Sequence, residues 1–295
     1  MSRSRLQMRT TYHHSCQSGR LLLSCAVFLL FGLCSTGLAQ EVKAGKTDGE
    51  KQLLRVYFVG ASHTRGNLVP KIVQELAASA PAAQPRLLVE WSQHPGHMDA
   101  QWNFGVDKAS TYKDEPIPTP RNRIENATWD VIVFDDWCGV GLQASIQDID
   151  RKWIPQWTDY IRSKKARPIL FGTPPALVDP YPENFHRWND FIVEQGKKSG
   201  AGVASAPQAW FNYLGQNPTL EQRKLLYSSD GIHLTDKGAY ILACCLYSAI
   251  TGFTTVGLTN STSTARGISK EDAQAIQQAS WKAHQETLLA LKPAK

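Results

Sequence analysis

Two short blocks of this sequence hold residue types able to perform acyl transfer. The first is Gly60-Ala61-Ser62-His63-Thr64, which ends the apolar run "VYFVG". A serine hydroxyl becomes a competent nucleophile only when a base takes its proton. The second block, "LYSSDGIHLTDKGAY" (226–240), holds Asp230 and His233, three positions apart. That spacing lets one turn present an imidazole base together with the carboxylate that orients it. Each block alone is common, since Gly-x-Ser also ends ordinary strands and Asp-x-x-His also caps helices. Their joint placement raises the odds: one follows the first strand, and the other precedes the helix after the last.

The elements that must position these residues are legible as periodicity. Apolar runs predict strands over residues 53–60, 84–92, 128–137, 167–175 and the start of 201–210, the last followed by a loop. Helical spacing predicts helices over 68–80, 154–166, 183–200, 236–252 and 269–292, with Ser269 and Asp272 as a cap pair for the last. Strands that are continuous apolar runs, alternating with helices, imply a parallel sheet covered on both faces. Such folds place ligands at the carboxyl ends of their strands, the edge on which Ser62 falls. No internal repeat and no low-complexity tract interrupts the pattern.

The chain has 295 residues, 42% of them hydrophobic and 20% charged, which suits a globular protein rather than a disordered one. Its first segment differs from the rest. Arg3, Arg5, Arg9 and Arg20 precede an apolar run over 21–33, and Gly37-Leu38-Ala39 reads as a cleavage site. We therefore expect a signal peptide over 1–39, a linker over 40–52 and one domain over 53–295, in a secreted or periplasmic protein. The apolar run is shorter than the about 20 residues a membrane span needs, so no stable membrane anchor is expected after cleavage.

Those four arginines account for most of the net charge of +6 and leave +2 on residues 40–295. The basic pI of about 9.0 is therefore no sign of a nucleic-acid partner, and no basic stripe with interleaved aromatics is present. Cys16, Cys25 and Cys34 fall in the leader, leaving Cys138, Cys244 and Cys245, an odd set that makes no disulfide framework. Cys244-Cys245 lies in an apolar helical run and is expected in the core.

Together the two blocks resemble those of the SGNH (GDSL-type) hydrolases, in a secreted bacterial branch whose first block reads roughly Gly-Asn-Ser-His/Tyr-Thr. The resemblance runs from about residue 53 to the last helix and includes "ARPILFGTPP" and "ISKEDAQAIQQASW". It implies a three-layer α/β/α sandwich of flavodoxin-like type, with a central parallel sheet of about five strands. It further implies ester hydrolysis without cofactor or metal, with Ser62 as nucleophile, His233 as base and Asp230 as orienting acid. A second block, "HPGHMDAQWNFG" (94–105), would supply Gly96 as an oxyanion donor, unless it is a plain Pro-Gly turn.

The third block departs from the family pattern. After the strand "WDVIVFDDW" the family carries an asparagine donor, and this chain has Asp135 and Asp136, then Trp137 and Cys138. An ionised carboxylate cannot donate a hydrogen bond and would repel an oxyanion. Either the carboxylates point elsewhere, or one is protonated, or the site is weakened; Asn103 and His63 are candidate replacement donors.

His63, His94 and His97 with Asp135 and Asp136 also raise a metal site, but no His-x-His or His-Glu-x-x-His spacing supports one. Trp153, Trp157 and Trp188 sit on helical patterns and are expected in packing, while Trp91, Trp102 and Trp137 are candidates to line a pocket. The leading expectation is a secreted serine esterase for a small acyl group, such as acetyl, on carbohydrate. The alternatives are a catalytically silent protein that binds a glycan or cell-wall component, and a metal-dependent phosphoesterase.

Overall fold

A computed structural model describes residues 52–65, 68–93, 97–103, 110–112, 115–117, 119–135 and 143–293. The expected signal peptide and nearly all of the expected linker lie outside the described residues. Five strands build the main sheet: β1 (Leu53–Gly60), β2 (Arg86–Gln93), β5 (Val131–Asp135), β6 (Arg167–Gly172) and β7 (Gly202–Ser205). Two short strands, β3 (Ser110–Tyr112) and β4 (Glu115–Ile117), pair with each other in an antiparallel ladder. The main sheet runs β2-β1-β5-β6-β7, every pair parallel. Counting sheet strands alone, this is the 2-1-3-4-5 order of flavodoxin-like folds, as expected.

Strand side chains alternate between faces, and both faces are buried, which explains the nearly unbroken apolar runs. Val56, Phe58, Val131, Val133, Ile169 and Phe171 enter one core. Tyr57, Val59, Ile132, Phe134 and Leu170 enter the other. The first core is closed by α2 (Val69–Ser79), α7 (Ala206–Leu214), α9 (Asp236–Thr251) and α10 (Lys270–Leu291). The second is closed by α3 (Met98–Asn103), α4 (Pro120–Glu125), α5 (Ala144–Ser163) and α6 (Glu183–Ser199). Full burial of each large side chain, such as Phe58, Phe134 or Trp157, contributes on the order of 2–3 kcal/mol.

Helix α9 is buried nearly all round, because α2, α7 and α10 pack against it as well as the sheet. A helix apolar on every side needs such a second cover. Cys244 and Cys245 both lie inside it, buried and free, as expected. The cap of α10 is also as read: Ser269 accepts from the Asp272 amide.

Some boundaries differ from the sequence reading. Helix α5 begins at Ala144 rather than 154 and carries Pro155 inside it. Helix α7 occupies a stretch expected to be loop; the Ser205 hydroxyl accepts from the Gln208 amide and Pro207 sits in the first turn, where a missing N–H costs nothing. A further helix, α8 (Leu220–Lys224), is started by a capping box between Thr219 and Gln222. Among the described residues no helix is long and apolar enough to cross a membrane.

Candidate active site

Strand β1 ends at Gly60, and Ser62 opens a single helical turn, α1 (Ser62–Arg65). The serine is half-buried, while His63 and Thr64 behind it are buried. The turn is fixed from the neighbouring strand. Asp135, the last residue of β5 and fully buried, accepts from the Ala61 amide through Oδ1 at 2.8 Å and from the Thr64 hydroxyl through Oδ2 at 2.5 Å. Gln101 of α3 donates to the Asp135 carbonyl at 3.2 Å. A Cβ at Gly60 would lie 2.3 Å from Asp135 Oδ2 and 2.2 Å from Thr64 Oγ1, so only glycine admits this close approach.

Asp135 therefore answers half of the third-block question. Its carboxylate faces the back of the Ser62 turn and binds two donors there. Asp136 and Trp137 lie outside the described residues, as does Gly96. Asn103 is the last residue of α3 and is exposed.

The second block folds as a compact turn ahead of α9. Asp230 Oδ1 accepts from the amides of Ile232 and His233, each at 2.9 Å. This is the local side-chain to backbone pattern that aspartate favours in turns. The other carboxylate oxygen meets His233 Nδ1 at 2.6 Å. A carboxylate only accepts, so Nδ1 carries the proton and Nε2 of a neutral imidazole is left as acceptor. The hydrogen bond from His233, followed by the two amides, holds the Asp230 carboxyl down to about 2. Gly231 adopts φ +69°, a conformation open to glycine. Its carbonyl accepts from the Leu177 amide at 2.8 Å, tying the turn to the loop after β6. Both side chains of the pair are about half exposed, 48% for His233 and 47% for Asp230.

The two blocks meet through His63. Its Nε2 lies 3.0 Å from the Ile232 carbonyl, and its ring stacks on His233, with centroids 5.9 Å apart and planes 19° from parallel. The residue after the serine thus touches the residue before the base, across 169 positions of sequence. Burial pushes the His63 imidazole down to about 4, so it is neutral across the ordinary range. With Nε2 turned to a backbone carbonyl, His63 does not have that nitrogen free as the replacement oxyanion donor.

Of the tryptophans, Trp157 and Trp188 are core residues, as expected. Trp102 packs edge-on to Trp157 and Tyr160 and lies under the Arg121 guanidinium. Its ring therefore fastens α3 onto α5. Trp91 is exposed on β2.

The site lies where the strand order reverses, between the carboxyl ends of β1 and β5, which is where open α/β sheets bind ligands. Of the residues expected from the sequence, the structure pairs Asp230 with His233 and ties their turn to the Ser62 turn through His63. Sequence reasoning missed Thr64, and it did not assign Asp135 or His63 the positions they hold, because both act across the fold.

No protein-family model matches the chain, and no curated protein matches it by sequence. Solved structures do match. A DUF4886 family protein from Bacteroides uniformis superposes with a TM-score of 0.60 at 18% identity, covering 82% of this chain and 98% of its own. A protein from Slackia heliotrinireducens assigned to the SGNH hydrolases gives 0.49 at 17% identity, over 68% of this chain and all of its own. An acetyl xylan esterase from Geobacillus stearothermophilus gives 0.47 at 12% identity, over 68% of this chain and 97% of its own. At such identities the likeness is one of fold. The parallel five-stranded sheet in flavodoxin-like order, covered by helices on both faces, is the α/β fold that this chain shares with the DUF4886 family protein.

Proposed function

We propose that this protein is a serine esterase. The observation that carries the reading is the Asp230–His233 pair, hydrogen-bonded at 2.6 Å on a turn that His63 ties to the Ser62 turn. In this reading the Ser62 hydroxyl attacks an ester carbonyl and its proton passes to His233 Nε2. Asp230 keeps the imidazole in the accepting tautomer and faces the imidazolium as it forms. The oxyanion is met by the Ser62 amide and, on the family resemblance, by Gly96. His233 then returns the proton to the departing alcohol, and water, activated by the same base, releases the acid.

The substrate we favour is a small acyl ester on carbohydrate. The Asp230–His233 pair sits half exposed, open to a bulky polar alcohol. Export from the cytoplasm, to the periplasm or beyond, fits the arginine-led apolar segment of the sequence and is tested by the N-terminal residue of the protein recovered from its cell. The silent-binder reading drew on the aspartates of the third block, and Asp135 is turned away from the serine's open side. The phosphoesterase reading drew on His63, His94, His97, Asp135 and Asp136 as ligands; His63 and Asp135 are engaged with protein donors and acceptors, and His94 and Asp136 lie outside the described residues.

The test is hydrolysis of p-nitrophenyl acetate by the protein and by Ser62→Ala, with and without EDTA. Turnover lost with Ser62 and indifferent to EDTA supports the esterase. Turnover abolished by EDTA and retained by Ser62→Ala would replace it with the metal-dependent reading.

A further inference from the structure

We propose that His63 is a positioning residue that locks the His233 imidazole in place, from one ring face and through the backbone behind it. The inference deepens the esterase reading and rests on it only for its effect on turnover. A hydrogen bond from Nδ1 to Asp230 fixes one point of the His233 ring. About that point the ring can still pivot, and one half-exposed hydrogen bond holds a side chain only weakly.

His63 restricts this freedom in two ways. Its ring lies nearly parallel to that of His233, with centroids 5.9 Å apart, so it limits how far His233 can pivot toward it. Its Nε2 faces the Ile232 carbonyl at 3.0 Å. A carbonyl only accepts, so His63 is the donor there and carries its proton on Nε2. That bond pins the peptide immediately before His233. His63 is itself immobile, being 2% exposed and part of the turn Asp135 holds through Ala61 and Thr64. Asp135, the Ser62 turn, His63 and the Asp230–His233 turn thus form one connected unit. Any shift of the serine carries the base with it.

The same geometry explains why a histidine suits this place. A neutral imidazole offers both a flat face and one directed N–H. Its burial keeps it uncharged, so it does not oppose the positive charge that His233 takes up when it accepts the serine proton.

Two substitutions separate the two contributions. His63→Phe keeps the flat face and loses the donor; His63→Gln keeps a donor at the Nε2 position and loses the face. His63→Ala loses both. The measurements are kcat and KM for p-nitrophenyl acetate, and the low-field proton NMR signal of the His233 Nδ1–H bonded to Asp230. Misplacement of a catalytic group by about 1 Å costs about 100-fold. His63→Ala should therefore lower kcat by roughly 10- to 100-fold with KM nearly unchanged, and should broaden or abolish the low-field signal. His63→Phe and His63→Gln should each recover part of both. The NMR signal does not depend on turnover, so a signal lost in His63→Ala upholds the positioning role even if Ser62→Ala shows the esterase reading to be wrong. A low-field signal as sharp in the Phe and Gln variants as in the parent, with kcat within about twofold, would overturn the proposal; those variants also decide the matter if His63→Ala does not fold.

Discussion

Replacing Asp135 is the perturbation with the most to lose. Its two carboxylate oxygens hold the Ala61 amide at 2.8 Å and the Thr64 hydroxyl at 2.5 Å, and all three residues are buried. Asp135→Ala leaves two buried donors without partners, each costing roughly 1–3 kcal/mol. The expected loss is about 4 kcal/mol, measured by urea unfolding. Asp135→Asn should lose far less, because the amide oxygen can still accept from Ala61 and its NH2 can donate to Thr64 with the hydroxyl reversed. The pair is isolated by a cycle with Thr64→Val. Hydrogen bonds to charged groups contribute about 1.5–3 kcal/mol, so the double variant should be less damaged than the sum of the singles by about that amount. Activity should fall further than stability, because the Ser62 turn loses its tether to β5. Additivity within about 0.5 kcal/mol would refute the reasoning, since it would mean Asp135 and Thr64 do not act on each other.

Gly60→Ala forces a Cβ within 2.3 Å of Asp135 Oδ2, so thermal unfolding should show a loss of about 1–3 kcal/mol together with a collapse of esterase turnover. Asp230→Asn can still accept from the two backbone amides through its side-chain oxygen but no longer enforces the Nδ1–H tautomer, so kcat should drop by on the order of 10⁴ with little change in melting temperature. The pH dependence of stability has a definite sign. His63 is held at about 4 in the fold against 6.5 when unfolded, so the unfolded chain binds more protons between those values. Stability should decline as pH falls from about 6.5 to about 4, by on the order of 3 kcal/mol for this group, and His63→Phe should flatten that slope in urea titrations followed across pH. Asp230, held at about 2, acts in the opposite sense to a raised group. Its contribution is present above the ordinary carboxylate range and fades as pH falls toward about 2.

What the sequence made legible was local or periodic. Asp230 and His233 are three residues apart, and the turn that joins them is built from their own backbone, so their partnership could be read directly. The sheet could be read because both its faces are buried, which makes each strand an apolar run. The tethers could not. Asp135 reaches Ala61 across 74 residues and His63 reaches Ile232 across 169, and no spacing rule links such distances without the fold. The acidic third block was therefore an open departure in the sequence, and for Asp135 it became a structural tether once β1 and β5 were adjacent. Helix α7 was missed for a different reason. Ser205 and Pro207 are a helix-start signal, but they follow a short strand directly and were read as its loop. Helix α5 starts at Ala144, ahead of the expected 154, and runs on through Pro155, which lies inside it.

The central claim is that Ser62 is the nucleophile and that His233, held by Asp230, activates it. Exposing the protein to a serine-reactive phosphonate and locating the adduct by peptide mass spectrometry tests this most directly. A single adduct on the peptide containing Ser62, formed much more slowly in His233→Ala and Asp230→Asn, is the predicted result. An unlabelled Ser62 in the folded wild-type protein, or labelling at the same rate without His233, would contradict it.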